Sequence, residues 1–194
     1  MCRSAFMASV VRTNVGLWRK VAFTTPPPSW DERNRTIAGF ITDGSSVLDL
    51  GCGAQPLKQH LKPGCRYQPC DVIQSSPEVI FCDFNSEIYP DIKERFDYVV
   101  CSGVLEYIRQ PKKFLQKVPQ LGRTVFLSYV PLVSGGSKLE RLGNGWGWVN
   151  HFTRDELEWI FADMGLKWVV IHTDKSGYLI YSLSLENAPL AEDS

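Results

Sequence analysis

The sequence predicts an α/β fold: a three-layer α/β/α sandwich around a seven-stranded, mainly parallel sheet with an antiparallel last strand. Three observations predict it. Short apolar runs alternate with helix-compatible stretches, the pattern of strands joined by crossover helices. Consecutive runs end in Gly51-Cys-Gly53, Asp71 and Asp83, groups suited to a ligand site at the carboxyl edge of such a sheet. The last two runs are separated only by the turn Asp174-Lys-Ser-Gly177, so they pair antiparallel.

Each element has its own signal. Thr24-Thr-Pro-Pro-Pro-Ser29 reads as a rigid joint. Ser29 and Glu32 form a capping-box pattern, and Ile37, Phe40 and Ile41 give a helical stripe up to Asp43-Gly44. Ser46–Leu50 is the first strand. Pro56 opens a short helix over about 56–62 that Pro63-Gly64 stops. Arg66–Cys70, Val79–Cys82, Phe96–Cys101 and Thr124–Tyr129 are strands two to five, with a helix from Pro111 to Val118 before the fifth. A Gly- and Trp-rich loop spans Val130–His151. Thr153 and Glu156 form a second capping box, and Leu157, Ile160, Phe161 and Met164 mark the buried face of its helix, which Gly165 ends. Lys167–His172 and Tyr178–Leu185 are strands six and seven.

At 194 residues the chain is expected to form one domain with a full hydrophobic core. Residues 1–28 read as a basic arm, an accessory helix or a targeting segment, 29–185 as the folded domain, and 186–194 as a loose tail. A hydrophobic share of 44% with 22% charged residues fits a globular protein rather than a disordered or fibrous one. Zero formal net charge gives no global basic field, so no nucleic-acid partner is expected. No apolar run approaches the roughly 18 residues of a membrane span.

The first 30 residues contain Arg3, Arg12, Arg19 and Lys20 and no acid. A transit peptide has that character, which makes an organelle the alternative to a cytoplasmic location. All six cysteines (Cys2, Cys52, Cys65, Cys70, Cys82 and Cys101) read as reduced thiols. A zinc site from Cys65, Cys70 and Cys82 matches no common ligand spacing, so no metal is expected.

The richest stretch is Val47-Leu-Asp-Leu-Gly-Cys-Gly-Ala-Gln55. An apolar strand feeding a Gly-x-Gly turn brings backbone amides up to a nucleotide-like ligand. Asp49 inside that strand would repel a pyrophosphate. It suits a ligand with positive charge, such as S-adenosylmethionine (AdoMet), which carries a sulfonium and an ammonium and no phosphate.

The order of elements resembles the class I AdoMet-dependent methyltransferases over about residues 44–185. Leu48-Asp-Leu-Gly-Cys-Gly-Ala-Gln-Pro56 resembles a small-molecule subgroup with Pro soon after the Gly turn. Val104-Leu-Glu106 and His151-Phe-Thr153 match further segments of that subgroup. The resemblance implies the strand order 3-2-1-4-5-7-6 and AdoMet as cofactor. Gly51, Cys52 and Gly53 would let the backbone approach it. Asp49 would hold the methionyl ammonium, Asp71 the ribose diol and Asp83 the adenine amino group. Val72 and Phe84 would cover the ring faces, and Cys101 and Ser102 would line the methionine end. Gln55 departs from the pattern, standing where many relatives carry a third Gly.

Transfer from a sulfonium to a small-molecule oxygen or nitrogen is an in-line displacement with a neutral thioether leaving. It needs positioning, and a base only for weakly acidic acceptors. His151, Glu106 and Tyr107 are the candidates for that base. The stretch Leu142–His151, with Trp146 and Trp148, would form a lid or wall over the acceptor, and the arm with Phe6, Val10, Val11, Leu17 and Trp18 would close the opposite side. A second reading is a catalytically silent methyltransferase-like binding or regulatory protein. A third, a nicotinamide-dependent oxidoreductase, is disfavoured by Asp49. Neither the acceptor's identity nor the oligomeric state is legible.

Overall fold

The computed structural model describes residues 13–25, 27–133, 136–137, 147–175 and 177–185. Seven strands form one sheet in the order β3-β2-β1-β4-β5-β7-β6, as the resemblance implies. They are β1 (Ser46–Leu50), β2 (Arg66–Asp71), β3 (Ile80–Phe81), β4 (Phe96–Ser102), β5 (Gly122–Tyr129), β6 (Leu166–Thr173) and β7 (Leu179–Leu185). β3 through β5 pair in parallel, and β7 runs antiparallel to both β5 and β6. Four α-helices accompany them: α1 (Val15–Ala22), α2 (Pro28–Gly39), α3 (Pro111–Leu121) and α4 (Arg154–Asp163).

Strand alternation splits the core in two. Leu48, Leu50, Val99, Cys101, Val125 and Leu127 face α3 and α4, meeting Phe114, Leu115, Val118, Leu157, Ile160 and Phe161. Val47, Val100, Phe126 and Ile180 face the other way, onto Ile37 and Ala38 of α2, Ile41 just beyond it, and Leu57. β1 is buried along its whole length, so every side chain it carries has a packing or a site role.

Several expectations are corrected. α2 starts at Pro28, one residue before the expected cap, so Ser29 lies inside the first turn and no side chain caps the helix. Proline at that position is preorganised for a helix start. α2 ends at Gly39, which leaves Phe40 44% exposed while Ile37 and Ile41 are fully buried. The 56–62 helix is a five-residue 3-10 turn, Pro56–His60. β3 is shorter than Val79–Cys82: the amides of Gln68 and Gln74 donate to Glu78 O and Val79 O (2.9 and 3.1 Å), satisfying carbonyls that a longer ladder would use. By contrast the Thr153/Glu156 capping box forms in both directions at α4.

The expectation of reduced thiols throughout is overturned at one pair. Cys70 and Cys82 form a disulfide between the carboxyl ends of β2 and β3, while Cys52, Cys65 and Cys101 are free. Adjacent strand ends brought their Cα atoms to 6.1 Å, within bridging range. No metal-binding cluster occurs among the described residues, nor any helix long and apolar enough to cross a membrane. Phe6, Val10, Val11, Trp146 and the 186–194 tail lie outside the described residues.

Candidate functional site

At the carboxyl edge of β1, β2 and β4 lies a cavity of about 350 Å³, at the small end of ligand sites. Asp49, Asp71 and Asp83 all line it, together with Gly51, Cys52, Gly53, Val72, Phe84, Ser102, Glu106 and Tyr107. Cys101 is wholly buried behind this wall, and neither it nor His151 is among the lining residues.

The Gly turn explains its own composition. Gly51 has φ +76°, and a Cβ there would sit 2.6 Å from Val104 Cγ2. Gly53 has φ +51°, and a Cβ there would meet nothing within 4 Å. Glycine at that point therefore keeps open a cradle that a side chain would fill. The turn is pinned to the next strand: Gly51 N and Cys52 N donate to Cys70 O (2.7 and 3.1 Å). Gln55, the departure from the family pattern, adopts φ +58°. It holds the left-handed conformation that glycine would take, at a cost of about 1–2 kcal/mol. Its amide donates to Ser76 Oγ (3.1 Å).

Each acid is held differently. Asp49 is 2% exposed and accepts a short hydrogen bond from Tyr67 Oη (2.6 Å). Burial raises its pKa to about 7, the Tyr67 bond opposing and the Asp71 charge adding to the rise. Asp71 accepts from Gly53 N (2.9 Å) and Ile73 N (2.8 Å), and burial also raises its pKa. Asp83 caps the short turn Phe84–Ser86 through Asn85 N, and accepts from Thr13 Oγ1 (2.6 Å) and Ser86 Oγ (2.8 Å).

Sequence reasoning missed Arg33. It projects from α2 over the end of β4, donating from Nε to Ser102 Oγ (2.8 Å) and from Nη2 to Ser102 O (3.3 Å). A Cβ on Gly103 would strike its guanidinium at 2.7 Å. Burial lowers its pKa, with the Glu106 charge the largest opposing influence. No carboxylate among the described residues lies within ion-pair distance of it. A guanidinium has five N–H donors, and these two bonds leave others for the cavity. A half-buried guanidinium held by neutral oxygens gains a charge-assisted hydrogen bond when an anion docks against it. The signal was present: Arg33 stands one helical turn before the fully buried Ile37 on α2.

Glu106 is buried at 2% exposure, and its Oε1 accepts from Val130 N (3.1 Å). Its backbone carbonyl receives Val149 N and Asn150 N, which ties the exit of the long loop to the turn after β4. Trp148 Nε1 donates to Tyr107 Oη (2.9 Å), and Trp18 of α1 packs edge-on against the Tyr107 ring at 4.5 Å. Arm and loop thus meet on Tyr107 rather than closing opposite sides.

A family model described as a methyltransferase domain matches residues 26–171. The bifunctional methionine biosynthesis protein MetXA/MetW of Rhodopirellula baltica is 30% identical over 112 residues, 48% of this chain. The chain spans only 18% of that relative's length. Among solved structures, magnesium protoporphyrin IX methyltransferase from Synechocystis with bound S-adenosylhomocysteine (SAH) has a TM-score of 0.58 at 16% identity, over 89% of this chain and 95% of that one. The 1,6-didemethyltoxoflavin-N1-methyltransferase of Burkholderia thailandensis, with 1,6-didemethyltoxoflavin and SAH bound, also scores 0.58 at 18% identity, over 86% and 80%. At such identities the likeness to both structures is one of fold.

Proposed function

Because the chain belongs to the methyltransferase-domain family, we propose that it is an AdoMet-dependent methyltransferase acting on a small-molecule acceptor. The observation that carries this reading is the convergence of Asp49, Asp71 and Asp83 from three neighbouring strand ends on one cavity. The residues present fit the cofactor: a glycine cradle, carboxylates for its donors, and a guanidinium with N–H donors to spare for its one anionic group. AdoMet supplies a methyl group activated by attachment to a sulfonium.

The chain's own residues then bind, orient and exclude water. Asp49 takes the methionyl ammonium and Arg33 the methionyl carboxylate, so one zwitterion answers both the buried acid and the half-buried guanidinium. Asp71, already aligned by Gly53 N and Ile73 N, offers its remaining lone pairs to the ribose diol. Asp83 accepts from the adenine amino group beside Phe84, and Val72 covers the other ring face. Ser102 fixes Arg33 and thereby the methionine end. Glu106 and Tyr107 would form the wall against which the acceptor docks, and Glu106 would take the acceptor's proton where one must leave.

Isothermal titration with SAH tests this reading. A single site with micromolar affinity at pH 8 is expected. No heat at millimolar ligand would defeat it.

A further inference from the structure

We infer that Tyr67 is a positioning residue for the cofactor's ammonium group: its hydroxyl holds one oxygen of the ionised Asp49 carboxylate and leaves the other for the cavity; this rests on the cofactor reading above. The sheet register creates the need for it. Asp49 stands opposite Pro69 on β2 and Val100 on β4. Neither neighbour carries a side-chain donor. A carboxylate 2% exposed between them requires a donor from elsewhere. Tyr67 stands opposite Val47, two residues earlier on the same face of the sheet. It reaches forward along that face, and its Oη donates to Asp49 Oδ2 at 2.6 Å. Among the described residues this is the one hydrogen bond to the Asp49 side chain. Asp49 also lines the cavity, so Oδ1 is the oxygen that meets a ligand.

The ring has its own anchors. It packs against the cluster of Ile37, Ile41, Val47 and Leu57. Lys58 Nζ lies 5.9 Å from its centroid, on the ring rather than on the carboxylate. Phenylalanine would keep both contacts, so the hydroxyl can be removed by itself.

The surrounding charges show what the hydroxyl does. Burial works against the ionised form of Asp49 and the Asp71 charge adds to that, while the Tyr67 bond and the Arg33 charge oppose it. The other titratable groups facing Asp49 are the thiols of Cys52 in the Gly turn and Cys101 in β4. Burial pushes both thiols and the Tyr67 phenol well up, so all three stay neutral around pH 7. Arg33 stays a cation. A phenol donating to a carboxylate makes a charge-assisted bond that the protonated acid cannot match. Without it Asp49 holds its proton to higher pH, and a protonated acid does not answer an ammonium.

The test titrates SAH by calorimetry into the whole chain, wild type and Tyr67→Phe, at pH 6, 7, 8 and 9. Thermal denaturation at each pH establishes that both are folded. Asp71 is common to the two proteins, so the difference between their curves isolates the hydroxyl. The variant's affinity curve should be displaced upward by about one pH unit, the size of a lost charge-assisted bond. SAH then binds the variant about tenfold more weakly than wild type at pH 6 and within about threefold of it at pH 9. 3-Fluorotyrosine at position 67, a more acidic donor on the same ring, should displace the curve downward, and this protein decides the matter if Tyr67→Phe does not fold. An undisplaced curve, a loss of equal size at every pH, or displacement in the same direction by both substitutions overturns the role of Tyr67 while leaving the cofactor reading intact. A wild-type protein that binds no SAH at any of these pH values removes both.

Discussion

Lowering the pH should weaken cofactor binding through one carboxyl group. Burial holds the Asp49 pKa near 7 in the ligand-free protein, and only the ionised form can neutralise the methionyl ammonium. The direction follows from the raised value: affinity is fully present above pH 7 and lost as the pH falls through it. At pH 6 roughly one Asp49 in ten is ionised, so the apparent Kd for SAH should be about tenfold weaker than at pH 8, and about a hundredfold weaker at pH 5. Asp71, also raised by burial, adds to the loss in the same direction. The assay is isothermal titration at pH 8, 7, 6 and 5 at constant ionic strength, with thermal denaturation at each pH to establish that the protein remains folded. Buffers of different ionisation enthalpy at pH 6 should reveal net proton release on binding. A Kd constant within twofold between pH 8 and pH 6 would refute the assignment of Asp49 to the ammonium.

Three further outcomes follow from the same geometry. Asp49→Asn should abolish measurable SAH binding yet stabilise the ligand-free protein at pH 8, on the order of 1–3 kcal/mol, because Asn still accepts from Tyr67 Oη and carries no buried charge; chemical denaturation reads this, and a destabilised variant contradicts it. Arg33→Met should weaken SAH binding by about tenfold to about 150-fold, as expected for a lost charge-assisted hydrogen bond of roughly 1.5–3 kcal/mol, with little loss of stability; unchanged calorimetric affinity would remove Arg33 from the site. Gly51→Ala should destabilise the fold by more than 1 kcal/mol, since its Cβ meets Val104 Cγ2 at 2.6 Å and its φ is positive; urea denaturation measures it, and a neutral effect would contradict the close approach.

Much of this was legible because strand signals and site signals coincide. Val47–Leu50 is apolar because β1 is buried on both faces, so the one acid inside it stood out. Asp71 and Asp83 stood out by ending apolar runs. The rest depended on contacts between distant segments. Arg33 stands among Asp31, Glu32 and Arg35, and charge alone does not separate it from them, although its spacing from Ile37 turns it toward the sheet. Phe40 was misplaced because a stripe does not reveal the turn at which a helix stops. The Cys70–Cys82 bridge needed the pairing of β2 with β3, which cysteine spacing alone does not encode. Glu106, Tyr107 and His151 were all candidates in the sequence, and the path of the loop after β5 separates them: it brings Trp148 onto Tyr107 and leaves His151 off the cavity wall.

The most direct test is a crystal structure of the protein grown with SAH. The account predicts one SAH molecule at the carboxyl edge of the sheet, its ribose on Asp71, its adenine beside Asp83, and its amino and carboxylate groups on Asp49 and Arg33. A nucleoside bound away from these four side chains, or a cavity still without ligand at millimolar SAH, would contradict it.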